Sequence, residues 1–423
     1  MSPARIRSRY LILLGLRWLP VGLLIPVLVL LPLERGLTIV QVGSAVAMQG
    51  IVVLLLELPT GGLADALGRR PVLLLAGVIN LASLALLAIA DSVLLLGAAY
   101  LLQGVYRALD SGPLESWFVD HTLATDPGAD IETGLSRGGV VASLAIAGAA
   151  LASGGLVWLG PVGLGPLGRV SALTVPVLLA LALSLLATTA VALLMAEDRP
   201  ARGKAALAAS VRGVPAAIGG ALGLARRSRV VLALIGVEFL WSFGMVTFEQ
   251  LMPVRLSEVT TAAGPLMGPV SSAAWGASAA GAALVPLLGR RLGARWTGFT
   301  LRLVQGATIA GMGLFAGPVG VIGAFLLCYA VHGAANPVHA GLLHRQAEAE
   351  HRTSLLSLNS MIAAPGFAIG SIALTAVVAA AGTPAAIVTG AVVLAAAAPL
   401  YLVKSATVFR EPAPSGTSES LAL

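Results

Sequence analysis

Long runs without a charged residue alternate along this chain with short polar intervals, at 36–56, 71–90, 138–168, 170–196, 259–289, 303–344 and 353–403. A helix crossing a hydrocarbon core of about 30 Å needs about 20 apolar residues, because each adds about 1.5 Å. The last two runs are long enough for two crossings each, and each has a turn signal at its middle, Gly317-Pro318 and Gly382-Thr383-Pro384. Nine uninterrupted spans are therefore predicted. Three further apolar stretches are broken by charge: 10–32 by Arg17, 93–118 by Arg107, Asp110 and Glu115, and 230–252 by Glu238 and Glu249. The prediction is an all-α membrane protein of twelve transmembrane helices.

Composition agrees. The 423 residues are 57% hydrophobic and 11% charged, under half the roughly 25% charge of soluble domains, which excludes a water-soluble globular chain. A single cysteine, Cys328, excludes a disulfide framework and a cysteine-rich zinc site. The basic start (Arg5, Arg7, Arg9) is like that of a signal peptide, but the apolar stretch continues for over 20 residues without a small-residue cleavage site, so a retained first helix is expected.

The net charge of +7 suggests nucleic acid until the basic residues are placed. Alternating the loops puts about twenty Lys and Arg on one side and only Arg35, Arg169 and Arg255 on the other. That bias orients both termini to the cytoplasm and requires an even number of spans. Lysine is confined to Lys204 and Lys404 amid abundant Ala, Gly and Leu, a composition of high-GC bacterial genomes. The expected location is a bacterial inner (plasma) membrane, multi-pass, with the lipid bilayer as partner and no nucleic acid.

The longest polar interval, 196–229, carries seven basic residues and divides the chain into two sets of six spans. The expected organisation is an N-terminal bundle over 1–195, a cytoplasmic basic linker over 196–229 resting on the anionic leaflet, a C-terminal bundle over 230–403 and a disordered tail over 404–423. GGLADALGRR follows the second span and PLLGRRLGARW the eighth. A repeated loop in a two-half chain fits parallel repeats about an axis normal to the membrane.

The first of these loops resembles the signature of the major facilitator superfamily between helices two and three, G-x-x-x-D-(R/K)-x-G-R-(R/K). Gly61, Asp65, Gly68, Arg69 and Arg70 match, and Ala66 replaces a usual basic residue. With the span count and the basic central loop, the resemblance covers nearly the whole chain. It implies two pseudo-symmetric six-helix bundles and a cytoplasmic gate in which Asp65 docks on the eleventh helix near Ser354 and a motif arginine pairs with Asp120. A carboxylate at a helix N-terminus is favoured by the macrodipole and the free N–H groups. Two other family patterns are less complete. The fourth span keeps Gln103-Gly104 but has Tyr100 where an arginine is usual, and the fifth keeps Gly139 and Gly148 without the proline of antiporters.

The charge-interrupted spans are the first, fourth and seventh, and the tenth carries His332 and His339. These are the helices that the resemblance places around a central cavity, and a charged side chain facing lipid costs at least about 2.5–3.5 kcal/mol. Tyr100, Gln103, Arg107 and Asp110 share one helical face; Glu238, Trp241, Met245 and Glu249 another; Cys328, His332, Asn336 and His339 a third. Arg17 and Glu238 lie at similar depth and fit either a pairing across the halves or local partners, with Glu57 favoured for Arg17. Asp110, Glu115, Glu238 and Glu249 are candidate proton carriers. Asp110 beside Arg107 is the first choice, since an acid whose arginine partner moves between states loads and releases a proton; a permanent ion pair is the alternative. His332 fits either a titrating or a hydrogen-bonding role. Trp117 reads as helix-end packing, and Arg302 as a residue that snorkels to the interface.

No P-loop, H-E-x-x-H or nucleophile elbow occurs, so neither an ATPase nor another enzyme is expected, and no cofactor or metal. The expected function is secondary active transport of a small, largely apolar solute by alternating access. Proton-coupled efflux of a drug or metabolite by a monomer, with protons as the coupling ion, comes first. The alternatives are a nutrient or metabolite symporter and a transport-inactive sensor or assembly partner.

Overall fold

The computed structural model describes residues 2–163, 169–196, 219, 223, 228–346 and 352–403, with backbone alone at 57–59, 61, 62, 64–66, 169, 352–358 and 360. Most of the expected linker and the whole expected tail lie outside the described residues.

Among the described residues, each interval predicted to span contains helix. The elements are α1 (Pro3–Leu24), α2 (Leu30–Glu34), α3 (Ile39–Leu67), α4 (Arg69–Ile89), α5 (Val93–Asp110), α6 (Pro113–Thr125), α7 (Ile131–Trp158) and α8 (Val175–Leu194) in the first half. The second half holds α9 (Arg229–Val246), α10 (Met252–Val259), α11 (Ala263–Ala283), α12 (Val285–Leu292), α13 (Ala294–Leu314), α14 (Pro318–His344), α15 (Arg352–Ala381) and α16 (Thr383–Ala395). Two residues on each side, β1 (Val162–Gly163) and β2 (Arg169–Val170), pair antiparallel in the loop before α8. Among the described residues nine helices are long and apolar enough to cross a membrane, ten if α11 and α12, bent by 40°, form one span. Helices α1 and α13, which carry Arg17 and Arg302, fall outside that count.

Local signals set the boundaries. Ser92, Asp130 and Ser228 cap α5, α7 and α9 by accepting from the amides of Leu95, Thr133 and Val231. Thr133 also donates its hydroxyl to Asp130, and these bonds hold the Asp130 carboxyl below the ordinary carboxylate range. The two repeated loops turn on glycines of like conformation, Gly68 (φ 96°, ψ 155°) and Gly293 (φ 74°, ψ 156°), a region closed to residues with a Cβ. The fourth predicted span is not continuous. It breaks at Gly112 (φ 90°), and Pro113, lacking an N–H, starts α6. The seventh is re-phased by a π-helical turn over Thr247–Leu251.

The packing of the first half recurs in the second. Helix α1 lies against α7 and α8, α3 against α5, and α4 against α5 and α8; likewise α9 lies against α15 and α16, α11 against α14, and α13 against α14 and α16. The halves meet along α7 with α11 and α3 with α15. Both seams depend on small residues, which let backbones approach. A Cβ added at Gly268 would lie 2.5 Å from the Ala150 carbonyl oxygen, and one at Gly43 would lie 2.6 Å from Thr375 Oγ1. The Ser371 hydroxyl donates across the second seam to the Gly43 carbonyl (2.8 Å). Leu30 packs into the core of the second half with Val246, Leu251 and Met267. All these contacts fall near the ends of the helices remote from the chain termini.

Candidate functional site

The break after α5 has a chemical consequence. In an unbroken helix the Asp110 carbonyl would accept from the amide four residues on; the Gly112 turn removes that donor. Arg17, reaching from α1, takes its place: Nη2 donates to the Asp110 carbonyl (2.9 Å), and Nε bonds the Asp110 carboxylate. Arg17 Nη1 lies 3.4 Å from Glu115 Oε1 on α6, and the guanidinium stands 5.6 Å from the Trp18 ring. The side chains of Arg17 and Asp110 are 18% and 10% exposed, so each would carry a large desolvation penalty alone.

This corrects the expected partner of Asp110. Arg107, three residues earlier on the same helix, makes no ion pair among the described residues. The cross-half pairing of Arg17 with Glu238 is likewise absent, since Arg17 is engaged within its own half; the Glu57 side chain lies outside the described residues. Arg17 and Asp110 instead separate two cavities. The larger, about 370 Å³, lies within the first half and is lined by Tyr100, Gln103, Tyr106 and Arg107 on α5, with Leu24 on α1 and Leu84 on α4 among its apolar residues. The smaller, about 50 Å³, lies behind the pair toward Asn80 and Ser184, which hydrogen-bond to each other (3.2 Å). Gln103 accepts from Ser83 Oγ (2.9 Å), and Tyr100 is buried.

The second half has a counterpart of opposite polarity. Glu238 on α9 lies 3.4 Å from His339 Nε2 on α14. His339 also meets Asn359 Oδ1 (3.2 Å) and Tyr401 Oη (3.0 Å), so Nε2 faces two acceptors and Nδ1 faces the phenol. Aligning Pro113 with Pro337 puts Glu115 and His339 at the same position of the two repeats. One half thus has a base on its first helix and an acid past the proline; the other has the reverse. Nearby, His332 stacks on Trp241 (5.4 Å between centroids) and meets Asn336 (3.1 Å). Glu249 accepts from Tyr329 Oη (2.5 Å).

Arg302 does not snorkel. It is 1% exposed, stands 5.5 Å from the Trp241 ring and donates to Gln305 Oε1 (2.7 Å). Its place nine residues into α13 puts it about 12 Å along the axis, too deep to reach the interface, and the Trp241 π-face accepts it instead. Sequence reasoning missed Arg302 together with Tyr106, Tyr329, Asn359 and Tyr401. The i,i+3 spacing of Arg302 and Gln305 was the available signal for the first.

At the termini end, Arg69 Nη1 lies 2.6 Å from Asp120 Oδ2 and donates to the Ser116 carbonyl (2.7 Å), while Arg70 donates to the Ala192 carbonyl (2.6 Å). The expected docking of Asp65 near Ser354 lies outside the described residues, because both side chains do; Gly61 is described by its backbone only. Trp117 is fully buried and donates to the Ala196 carbonyl (2.7 Å). Among the described residues no group of His, Cys, Asp or Glu has the arrangement of a metal site.

Two helical halves of matching packing, each with a buried ionic cluster, are the architecture of a secondary membrane transporter. The chain belongs to the Major Facilitator Superfamily, whose family model matches residues 10–338. No curated protein matches it in sequence. The nucleoside transporter NupG has a similar structure, at 13% identity and TM-score 0.74, covering 94% of this chain and 98% of its own. So does a bacterial homolog of the human lysosomal transporter Spinster in an inward-facing, occupied conformation, at 14%, 0.73, 94% and 96%. A peptide transporter, POT, in complex with sulfate is similar at 14% and 0.69, covering 95% of this chain and 93% of its own. At these identities the likeness is one of fold.

Proposed function

We propose that the protein is a proton-coupled exporter of small, largely apolar drugs or metabolites, working as a monomer with twelve spans in a bacterial inner membrane and both termini cytoplasmic. The observation that carries this reading is the position of Asp110, on the wall of a solute-sized cavity and bonded to Arg17. Charged, Asp110 holds Arg17; protonated, it loses the charge that holds it, and α1 is released from the α5–α6 break. Proton binding and helix movement thereby share one contact, which is the coupling a secondary transporter needs. The apolar cavity wall favours efflux of apolar solutes over uptake of sugars, whose recognition needs many hydrogen-bonding groups. With the positive-inside orientation, halves that meet at the ends remote from the termini are in the inward-open state, and Asp65, Arg69, Arg70 and Asp120 form the gate that closes it. Glu115, Glu238, Glu249, His332, Asn336 and His339, with Trp241, line the remainder of the solute and proton path.

The test is dye efflux from vesicles of a host lacking its own pumps, driven by an imposed pH gradient. Efflux abolished by a protonophore and by Asp110→Asn is expected. Efflux or resistance that survives collapse of the proton gradient contradicts proton coupling, and accumulation in place of efflux contradicts the direction.

A further inference from the structure

The charges around the large cavity are unequally engaged, and that inequality bears on the solute. Of the groups on its wall, Asp110 is committed to Arg17, Gln103 to Ser83, and Arg17 to Asp110 and Glu115. Arg107 lines the same cavity, is exposed to it, and has no ion-pair partner among the described residues. The opposite wall is apolar, built by Val21, Leu24, Leu28, Leu84 and Leu87. A guanidinium on a cavity wall presents a planar fork of donors suited to a carboxylate. A cationic solute would find, among the described residues of this wall, no uncommitted acid and one repelling arginine.

We propose that the cavity takes amphipathic organic anions, with the apolar body against the leucine wall and a single carboxylate on Arg107. The assignment rests on the transport reading above in taking this cavity for the solute site, and it narrows the solute to one charge class. The volume, about 370 Å³, is at the small end of ligand pockets, which suits a one- or two-ring acid.

The experiment is calorimetric titration of the full chain in nanodiscs with two matched sets of probes. One is naphthalene-1-acetate, its amide and 2-(naphthalen-1-yl)ethylamine; the other is 4-phenylbutyrate, its amide and 4-phenylbutylamine. Both carboxylates are expected to bind about 10–100-fold tighter than their amides, the range for a hydrogen bond to a charged group, and the amines weakest. Arg107→Gln brings the carboxylates to the level of the amides, and Arg107→Lys retains part of the difference. Because Arg107 is exposed and has no ion pair among the described residues, both variants should melt, unliganded, at the wild-type temperature. Equal binding of all head groups, preference for the amines, binding by no probe, or unchanged carboxylate affinity in Arg107→Gln overturns the proposal. Titration needs no gradient, so the two readings fail separately. Carboxylate binding without proton-driven movement removes the transport reading alone, whereas proton-driven export of the amines removes only the anion assignment.

Discussion

Gly268→Ala offers a sharp test of the packing between the halves. The added methyl would lie 2.5 Å from the Ala150 carbonyl oxygen and 2.5 Å from the Gly154 amide nitrogen. Both are backbone atoms, so no rotamer change relieves the clash, and α7 must retreat from α11. Ordinary van der Waals contact begins near 3.4 Å, so the retreat is about 0.9 Å, and overpacking of this kind costs about 1–3 kcal/mol. The cost falls on the state in which this end is closed, because only there do the two backbones touch. The open-to-closed ratio at that end should therefore rise about 5- to 150-fold, at 1.4 kcal/mol per factor of ten. Spin labels at Leu159 and Thr261, exposed positions on the loops flanking the seam, report the separation by pulsed electron resonance; the native Cys328 is buried. Gly148→Ala is the control, since a methyl there meets nothing within 4 Å. A distance distribution in Gly268→Ala that matches both the control and the wild type would refute the reasoning.

Other outcomes follow from the same contacts. Arg17→Gln strands two carboxylates and is expected to cost about 3–5 kcal/mol, the range for breaking a buried pair, whereas Asp110→Asn, which keeps an acceptor for Arg17, costs less; thermal melts in nanodiscs give the order, and the reverse order counts against the pairing. Arg302→Gln leaves Gln305 and the Trp241 face without their cation and should lower stability by about 1–3 kcal/mol, while an arginine that snorkels would lose almost nothing. Arg69→Gln breaks a part-exposed pair, so melting shifts by less than about 1 kcal/mol while vesicle efflux slows; unchanged efflux removes the gating role.

Much of the fold is legible in the sequence because lipid imposes a simple rule: a backbone that crosses hydrocarbon must be helical and apolar. The runs between charges therefore mark helices directly, and the paired GRR loops mark the repeat. Side-chain partners follow no such rule. Periodicity puts Arg107 and Asp110 on one face, but the Gly112 turn opens a carbonyl and a carboxylate to Arg17, 93 residues away in sequence. The signal in the sequence is the Gly112-Pro113 pair itself. The partners of Arg302 include Gln305, visible as an i,i+3 spacing on its own helix, and the Trp241 face on α9, which no one-helix pattern shows. The opposite polarity of Arg17–Glu115 and Glu238–His339 appears only when the two prolines are aligned.

The central claim is that one crevice opens to each side of the membrane in turn, and accessibility of a single position on its wall tests it most directly. Gln103→Cys, with Cys328→Ala, is labelled with a membrane-impermeant maleimide in right-side-out and in inside-out vesicles, with and without a pH gradient. Labelling from both sides is expected, with reversal of the gradient raising one rate as it lowers the other. Labelling from one side only, whatever the gradient, would contradict the account.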